Sequence, residues 1–381
     1  MKKIVLMGLV DLENYGEQFL ADTVEYLVGR KYQAVSVDFR PPKKNLRHLL
    51  YWILLVLSKV FSFSQKSYKL LFWGISLLTR KYYAEQIKNA DMIIFACGSY
   101  KYRTQKLWAY YSVAIEEAQK LNIPVMFDAM NIQNFDESDW RCRCLQTHTN
   151  YPCVKCFTTR DGVAGLEKLK RYYINRDSDI KVEMVGDPAF WIPECYDVQK
   201  SNSAKKVGVN LIRSKIFLQY GYNVTEEQLI DFYCNVIHKL EDSGIEWELF
   251  TNGLEKDYQL GKTVLKKCGM EERNIVVPDS AKQLVKLIAG YKAILGARLH
   301  SCICAYALDV PLVGFIWDEK LLRFSQIAGI ESFFLTEGEL DAEQFYTKFM
   351  VALDFTYDKI IREEWKQKTK CTIQQFLMDD A

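Results

Sequence analysis

Arg298 and His300 stand two residues apart in "LGARLHSCICAYALDVPLVGF", residues 295–315, where one apolar run gives way to another. A guanidinium is a planar, two-pronged clamp for phosphate or carboxylate, and an imidazole beside it can move a proton at neutral pH. Ala293, Ile294 and Leu295 read as a buried strand, Gly296 permits a tight turn, and Ser301 to Leu308 is apolar enough for a core helix that ends before Pro311. The pair is therefore expected at the carboxyl end of a strand and near the first turn of a helix. Unsatisfied N–H groups and the positive dipole end favour an anion there. The plainer alternative is that Arg298 pairs with a neighbouring carboxylate and His300 caps a turn, because structural ion pairs also gather at such ends.

The chain that must position this pair has two series of short β-branched runs alternating with helical patterns. The first series is Ile4–Leu9, Ala34–Phe39, Met92–Ala96, Pro124–Ala129, Val154–Thr158 and Val182–Val185. The second is Val207–Ile212, Trp247–Thr251, Ile275–Val277, Ala293–Leu295 and Leu312–Ile316, with amphipathic segments such as Glu226–Leu240 between them. This is the rhythm of parallel sheets covered by helices. The polar stretch Pro193–Lys206 separates the series and reads as a linker. The expected class is α/β, with an N-terminal Rossmann-like domain over residues 1–195, a C-terminal one over 205–355 and a terminal helix over 356–381. Two such domains facing across a cleft resemble the GT-B arrangement, in which ligands sit outside the carboxyl ends of the strands.

A chain of 381 residues with 49% apolar residues can fill two cores. Lys and Arg number 50 against 48 Asp and Glu, so no overall positive field exists to hold a nucleic-acid backbone. The 11 cysteines are scattered, and the apolar run from Ile4 to Val10 stops at Asp11 and Glu13 rather than forming a secretory leader. Reduced thiols and a cytoplasmic location are expected. One region breaks the balance of charge. From Phe39 to Ala84 there are nine Lys or Arg, ten aromatics and no acid, and the uncharged run Leu49–Ser58 is far shorter than the roughly 20 residues of a membrane span. Residues 40–84 are read as a basic, aromatic helical insertion whose apolar faces meet an anionic lipid surface, each nearby cation adding on the order of 1 kcal/mol. The alternative is that the same faces pack on the N-terminal sheet or between subunits of a homo-oligomer.

Four stretches, taken in order, resemble the polysaccharide pyruvyl transferase family, whose members attach pyruvate from phosphoenolpyruvate to sugar hydroxyls. "AILGARLHSCICAYALDVPLVGFIWDEKLLRF", from Ala293 to Phe324, looks like its most characteristic block; "NYGEQFLADTVEYL" from Asn14 looks like its Asn-Tyr-Gly loop; "TTRDGVAGLEKLKR" from Thr158 and "VGDPAFWI" from Val185 look like its Arg-Asp and Asp-Pro-Ala elements. The departures are Cys97-Gly98-Ser99-Tyr100 in place of a glycine cluster, Glu17 where some members carry Asp, and Asn131-Ile132-Gln133-Asn134 in place of a Gly-Pro turn. They bear on the acceptor and on activity rather than on the fold.

The resemblance implies a phosphoenolpyruvate-dependent transferase that forms a cyclic ketal on a sugar of a polysaccharide or lipid-linked glycan precursor, with no further cofactor and no metal. The enol carbon is protonated, one hydroxyl attacks the adjacent carbon, phosphate leaves and a second hydroxyl closes the ring. A donor bearing phosphate and carboxylate needs converging cations, preferably arginines. Arg298 is the first candidate, Arg213 after the strand Val207–Ile212 the second, and Lys320 beside Asp318 and Glu319 the third. His300 is the candidate proton donor: among the other histidines, His48 lies in the basic aromatic region, His148 in an expected loop and His238 on a helix. The acceptor is assigned to the N-terminal half, to Asn14, Tyr15 and Gly16 after the first strand and to Gly98 and Ser99 after the third. Arg160 and Asp161 read as a structural pair, and Asp187 and Pro188 as the turn toward the linker.

Cys142, Cys144, Cys153, Cys156 and His148 form a competing constellation, but a strand over Val154–Thr158 turns Cys153 and Cys156 to opposite faces, so buried thiols are expected rather than a zinc site. Two other readings of the whole chain stand beside the pyruvyl transferase. One is a GT-B glycosyltransferase using a nucleotide sugar, with Asp279 or Glu319 on the ribose. The other is a non-catalytic relative that binds glycan or a partner protein.

Overall fold

The computed structural model describes residues 1–9, 14–41, 65–103 and 106–379. His48, the run Leu49–Ser58 and the rest of 42–64 lie outside the described residues. Contacts divide the chain into two units. The first comprises Met1–Asp11, Val24–Asp187 and Gln367–Ala381; the second comprises Leu12–Thr23 and Pro188–Lys366.

The first unit holds β1 (Lys3–Gly8), β2 (Gln33–Asp38), β3 (Met92–Phe95), β4 (Ser99–Tyr100), β5 (Val125–Ile132), β6 (Val154–Thr159) and β7 (Lys181–Met184). They form a parallel sheet in the order β2-β1-β3-β5-β6-β7, with β4 added to β5. Ile4 to Met7 and Met92 to Phe95 are fully buried because helices cover both faces, which is why their sequence reads as unbroken apolar runs. Each such side chain contributes about 1.5–3 kcal/mol through burial.

The helix Gln65–Ile87 lays Leu71, Ile75, Tyr83 and Ile87 inward. It docks on the helix Leu107–Lys120, where Phe72 stacks on Trp108 and Arg80 pairs with Glu116 and Glu117. One face of this basic aromatic helix therefore serves internal packing. Its opposite face leaves Leu70, Trp73 and Leu77 exposed. Among the described residues no helix is long and apolar enough to cross a membrane.

The second unit holds β8 (Val207–Asn210), β9 (Trp247–Phe250), β10 (Ile275–Val276), β11 (Ala293–Gly296), β12 (Leu312–Phe315) and β13 (Phe334–Leu335), parallel in the order β10-β9-β8-β11-β12-β13. The chain is thus an α/β protein of two Rossmann-like units. The expected linker differs from the structure at its start. Pro193 lies in the first turn of the helix Ile192–Tyr196, which follows the short helix Pro188–Trp191, and Phe190, Ile192 and Tyr196 join the second unit's core. The terminal helix Lys359–Asp379 belongs to the second unit only as far as Lys366. Beyond it, Thr369 and Thr372 donate hydrogen bonds to the Gly186 carbonyl and the Glu183 carboxylate, and Ile373, Phe376 and Leu377 are buried in the first unit.

Candidate functional site

In the second unit the strand ends converge on Arg298. β11 closes at Gly296, Ala297 follows, and Arg298 is the extended cap of the helix Leu299–Ala307, with His300 in its first turn. The Asn210 amide oxygen, at the end of β8, accepts from the backbone N–H of Ala297 and of Arg298 at 3.3 and 3.0 Å. The Asn210 amide in turn donates to Asn252, which also receives the Ser301 hydroxyl. The Trp317 indole donates to the Ala297 carbonyl at 2.6 Å. This polar lattice fixes the backbone on which Arg298 and His300 stand. Gly296 is needed for closeness rather than for a turn: a Cβ there would lie 2.5 Å from Cys302 Sγ.

The guanidinium of Arg298 is already gripped. Its Nε donates to Asp257 Oδ2 at 3.0 Å, and its Nη2 donates to Oδ1 and Oδ2 at 2.7 and 2.6 Å. Arg298 is 8% exposed and Asp257 is completely buried. The two-pronged face that the sequence assigns to an external anion is thus occupied by an internal carboxylate. The Nη1 edge remains, and no described residue accepts from it.

Arg213 differs. It is half-buried, its backbone N–H donates to Asp257 Oδ1 at 3.1 Å, and its guanidinium makes no ion pair with any described carboxylate. Burial first, then the nearby Arg298 charge, push its pKa below the ordinary arginine value, against the pull of Asp257. Asp257 thus binds the Arg298 guanidinium directly and Arg213 only through its backbone N–H, so the Arg213 guanidinium stays half-buried without a carboxylate bonded to it. Lys320 is a lesser member, on the first turn of the helix Glu319–Ile327; its N–H is capped by Asp318 and its charge reaches the phenol of Tyr220.

His300 is 7% exposed and packs on residues the sequence assigns to the other half of the molecule. Gly16 sits against the imidazole so closely that a Cβ would lie 2.8 Å from His300 Cβ and 2.9 Å from Nδ1. Phe19 meets the same ring edge-on, with centroids 6.5 Å apart. The Tyr15 N–H donates to the Asn252 carbonyl, and the Asn14 carbonyl accepts from Glu17 N–H at the start of the helix Tyr15–Val28. Asn14, Tyr15 and Gly16 are therefore structural neighbours of the Arg298–His300 junction, a correction to their placement with Gly98 and Ser99. The glycine of the Asn-Tyr-Gly loop has a steric reason: the histidine needs its space.

The other two acceptor candidates lie at the strand ends of the first unit. Gly98 has φ +60°, and Ser99 begins β4. The Gly98 carbonyl accepts from Asn131 N–H and from Arg160 Nη2 at 3.0 Å. Arg160 also pairs with Asp187, whereas Asp161 accepts from the Asn131 amide and the Ile132 N–H. Arg160 and Asp161 are thus each engaged, but with other partners than one another, and Asp187 is an ion-pair partner rather than a bare turn. Asp128, in the middle of β5, was not singled out by the sequence. It is 2% exposed, Thr158 reaches one of its oxygens at 3.3 Å, and Oδ2 is buried without a hydrogen bond. Burial foremost, then the charge of Asp187, push its pKa to about 7, against Thr158 and Arg160.

Among the described residues, no group of three or more potential ligands is placed to hold a metal. Cys142, Cys144, Cys153 and Cys156 are buried thiols. His148 is not in a loop: it lies on the helix Trp140–Thr149 beside Glu116 at 3.0 Å. Burial opposes its charge, but Cys144 and Glu116 hold its pKa up at about 10. His238 is exposed on the helix Glu226–Asp242, and Asp279 is exposed before the helix Ala281–Ala289.

Comparison with solved structures gives the fold class independently. UDP-GlcNAc 2-epimerase from Methanocaldococcus jannaschii superposes with a TM-score of 0.61 at 10% identity, covering 99% of each chain. The Neisseria meningitidis UDP-GlcNAc 2-epimerase bound to UDP-GlcNAc gives 0.60 at 10% identity, covering 99% of this chain and 100% of that one. Trehalose 6-phosphate synthase from Burkholderia multivorans gives 0.53 at 10% identity, covering 100% and 96%. These likenesses establish a GT-B-like fold. No curated protein matches the sequence. The polysaccharide pyruvyl transferase family model matches residues 14–319, from the Asn-Tyr-Gly loop through the Arg-Leu-His junction, and the chain belongs to that family.

Proposed function

We propose that this protein transfers pyruvate from phosphoenolpyruvate to two hydroxyls of one sugar in a polysaccharide or lipid-linked glycan precursor. Arg213 and the outer edge of Arg298 hold the donor's phosphate and carboxylate. His300 gives a proton to the enol methylene, which becomes the methyl group. The first sugar hydroxyl then bonds to the adjacent carbon and returns its proton to the His300 imidazole, the C–O bond to phosphate breaks, and the second hydroxyl closes the ketal as its proton passes to the departing phosphate. The observation that carries this reading is the half-buried Arg213 guanidinium, which forms no ion pair with any described carboxylate and feels the charge of Arg298, itself two residues before His300. A cation kept in that state is stabilised by an anionic ligand.

Phosphoenolpyruvate should therefore raise the melting temperature, and Arg213→Ala should abolish the rise while the unliganded protein melts within a few degrees of wild type. Arg213 is the better variant for this purpose, since removing Arg298 would strand Asp257 as a buried, unpaired charge. A rise produced by UDP-GlcNAc and not by phosphoenolpyruvate would instead favour a nucleotide-sugar enzyme, in keeping with the bound molecule named for the Neisseria structure.

The acceptor's lipid anchor explains the exposed stripe on the helix Gln65–Ile87. Trp73 and Leu77 are each 56% exposed, Leu70 joins them, and Lys66, Lys69 and Lys81 are exposed nearby. This face suits the headgroup layer of an anionic bilayer. Vesicles containing phosphatidylserine should sediment the protein, purely zwitterionic ones should not, and Trp73→Ala should weaken the binding several-fold. Equal sedimentation of wild type and variant would assign the stripe elsewhere.

A further inference from the structure

We propose that Asp257 is a positioning residue for the anion site, fixing Arg298 and the Arg213 backbone in the one arrangement that receives a donor with two anionic groups. The inference rests on the anion-binding reading given above and adds a residue to it. Asp257 is the third residue of the helix Glu255–Lys267 and lies fully inside the second unit. Its two oxygens accept four hydrogen bonds: three from the Arg298 guanidinium, at 2.6, 2.7 and 3.0 Å, and one from the Arg213 N–H at 3.1 Å. One carboxylate on β9's following helix therefore ties together the residues that follow β8 and β11.

Such a carboxylate has two opposed effects on an incoming anion. By charge it is unfavourable, since it cancels one of the two guanidinium charges. By order it is favourable. An arginine side chain loses rotamer freedom when it is fixed, and Asp257 has fixed it before the ligand arrives. It also selects the presented edge: with Nε and Nη2 engaged, Arg298 offers Nη1, while Arg213 offers its whole fork. A buried ion pair is weak grounds for stability in its own right, so its retention beside an uncompensated cation is better explained by what it orients.

The opposed signs make the idea testable. Asp257→Asn keeps the shape, raises the site's positive charge by one and removes most of the grip. If position dominates, phosphoenolpyruvate affinity falls at least ~10-fold in the variant, whereas inorganic phosphate, a single compact anion, changes by less than ~3-fold or tightens. If both ligands tighten, or both weaken equally, the proposal is overturned.

A second measurement needs no variant. In the wild type, the Nε–H of Arg298 should exchange slowly with solvent in nitrogen-edited NMR spectra before and after phosphoenolpyruvate is added, while the Arg213 signal shifts on addition. Rapid exchange of the Arg298 Nε–H would overturn the proposal even if Asp257→Asn fails to fold. Should phosphoenolpyruvate not bind the wild type while uridine diphosphate does, the pyruvyl reading falls; the same comparison of diphosphate against phosphate then decides the role of Asp257 separately.

Discussion

His300→Ala is expected to lower turnover at least ~100-fold while changing the apparent affinity for phosphoenolpyruvate less than about threefold. A positioned general acid contributes ~10²–10⁴ in rate. The positioning is visible: His300 is in the first turn of a helix whose preceding N–H groups are locked by Asn210, and its ring is confined by Gly16 and Phe19. Donor binding falls to different side chains, Arg213 and Arg298, so removal of the imidazole should separate kcat from KM. The measurement is release of phosphate from phosphoenolpyruvate in the presence of acceptor glycan, as a function of donor concentration. A variant with unchanged kcat would remove His300 from the chemistry and leave it as a packing residue.

The second large effect concerns stability and pH. Asp128 carries a carboxyl whose pKa is raised from 3.8 to about 7 by burial and by Asp187. Between those values the folded protein holds a proton that the unfolded chain has released, so wild-type stability falls as pH rises from about 4 to about 7 and levels off above it. A shift of that size corresponds to at most on the order of 4 kcal/mol. Asp128→Asn cannot ionise and escapes this loss. Relative to wild type the variant should gain stability steadily from pH 4 to pH 7.5, as followed by denaturant unfolding monitored over the first unit. A stability difference independent of pH would show that the carboxyl is not held protonated. The position is costly to the fold in another respect, since Ala129 beside it adopts φ +48°, a left-handed conformation that alanine seldom takes.

The sequence revealed the strands that lie within apolar runs of three or more residues, and missed two that are only two residues long. All eleven β-branched runs appear as strands; in β1, β3, β5, β8, β11 and β12 burial on both faces imposes the apolar stretch, whereas β2, β7 and β10 are only partly buried. Ser99–Tyr100 and Phe334–Leu335 escaped notice, since neither two-residue strand stands in a β-branched run as Ile275–Val276 does. The Arg298–His300 junction was legible because strand, turn and helix follow one another directly in the chain. Asp257 was not. In sequence it is one more acid in the first turn of an amphipathic helix, 41 residues from Arg298, and only the fold brings the two together.

Chain proximity to β1 did not reveal which unit Asn14, Tyr15 and Gly16 pack in. They follow β1, yet residues 14–23 group with the second unit, and Gly16 proves to be part of the His300 packing. The loop expected at His148 is a helix instead, held by side-chain pairing to Glu116 and by hydrogen bonds to its own backbone.

Donor binding at the Arg213–Arg298–His300 junction is the central claim. A crystal structure of the protein with phosphoenolpyruvate bound should place the phosphate or carboxylate within hydrogen-bond distance of the Arg213 guanidinium and of Arg298 Nη1, with the methylene carbon beside the His300 ring and the Asp257–Arg298 pair intact. Phosphoenolpyruvate bound away from these three side chains, or a site that admits a nucleotide sugar in its place, would contradict it.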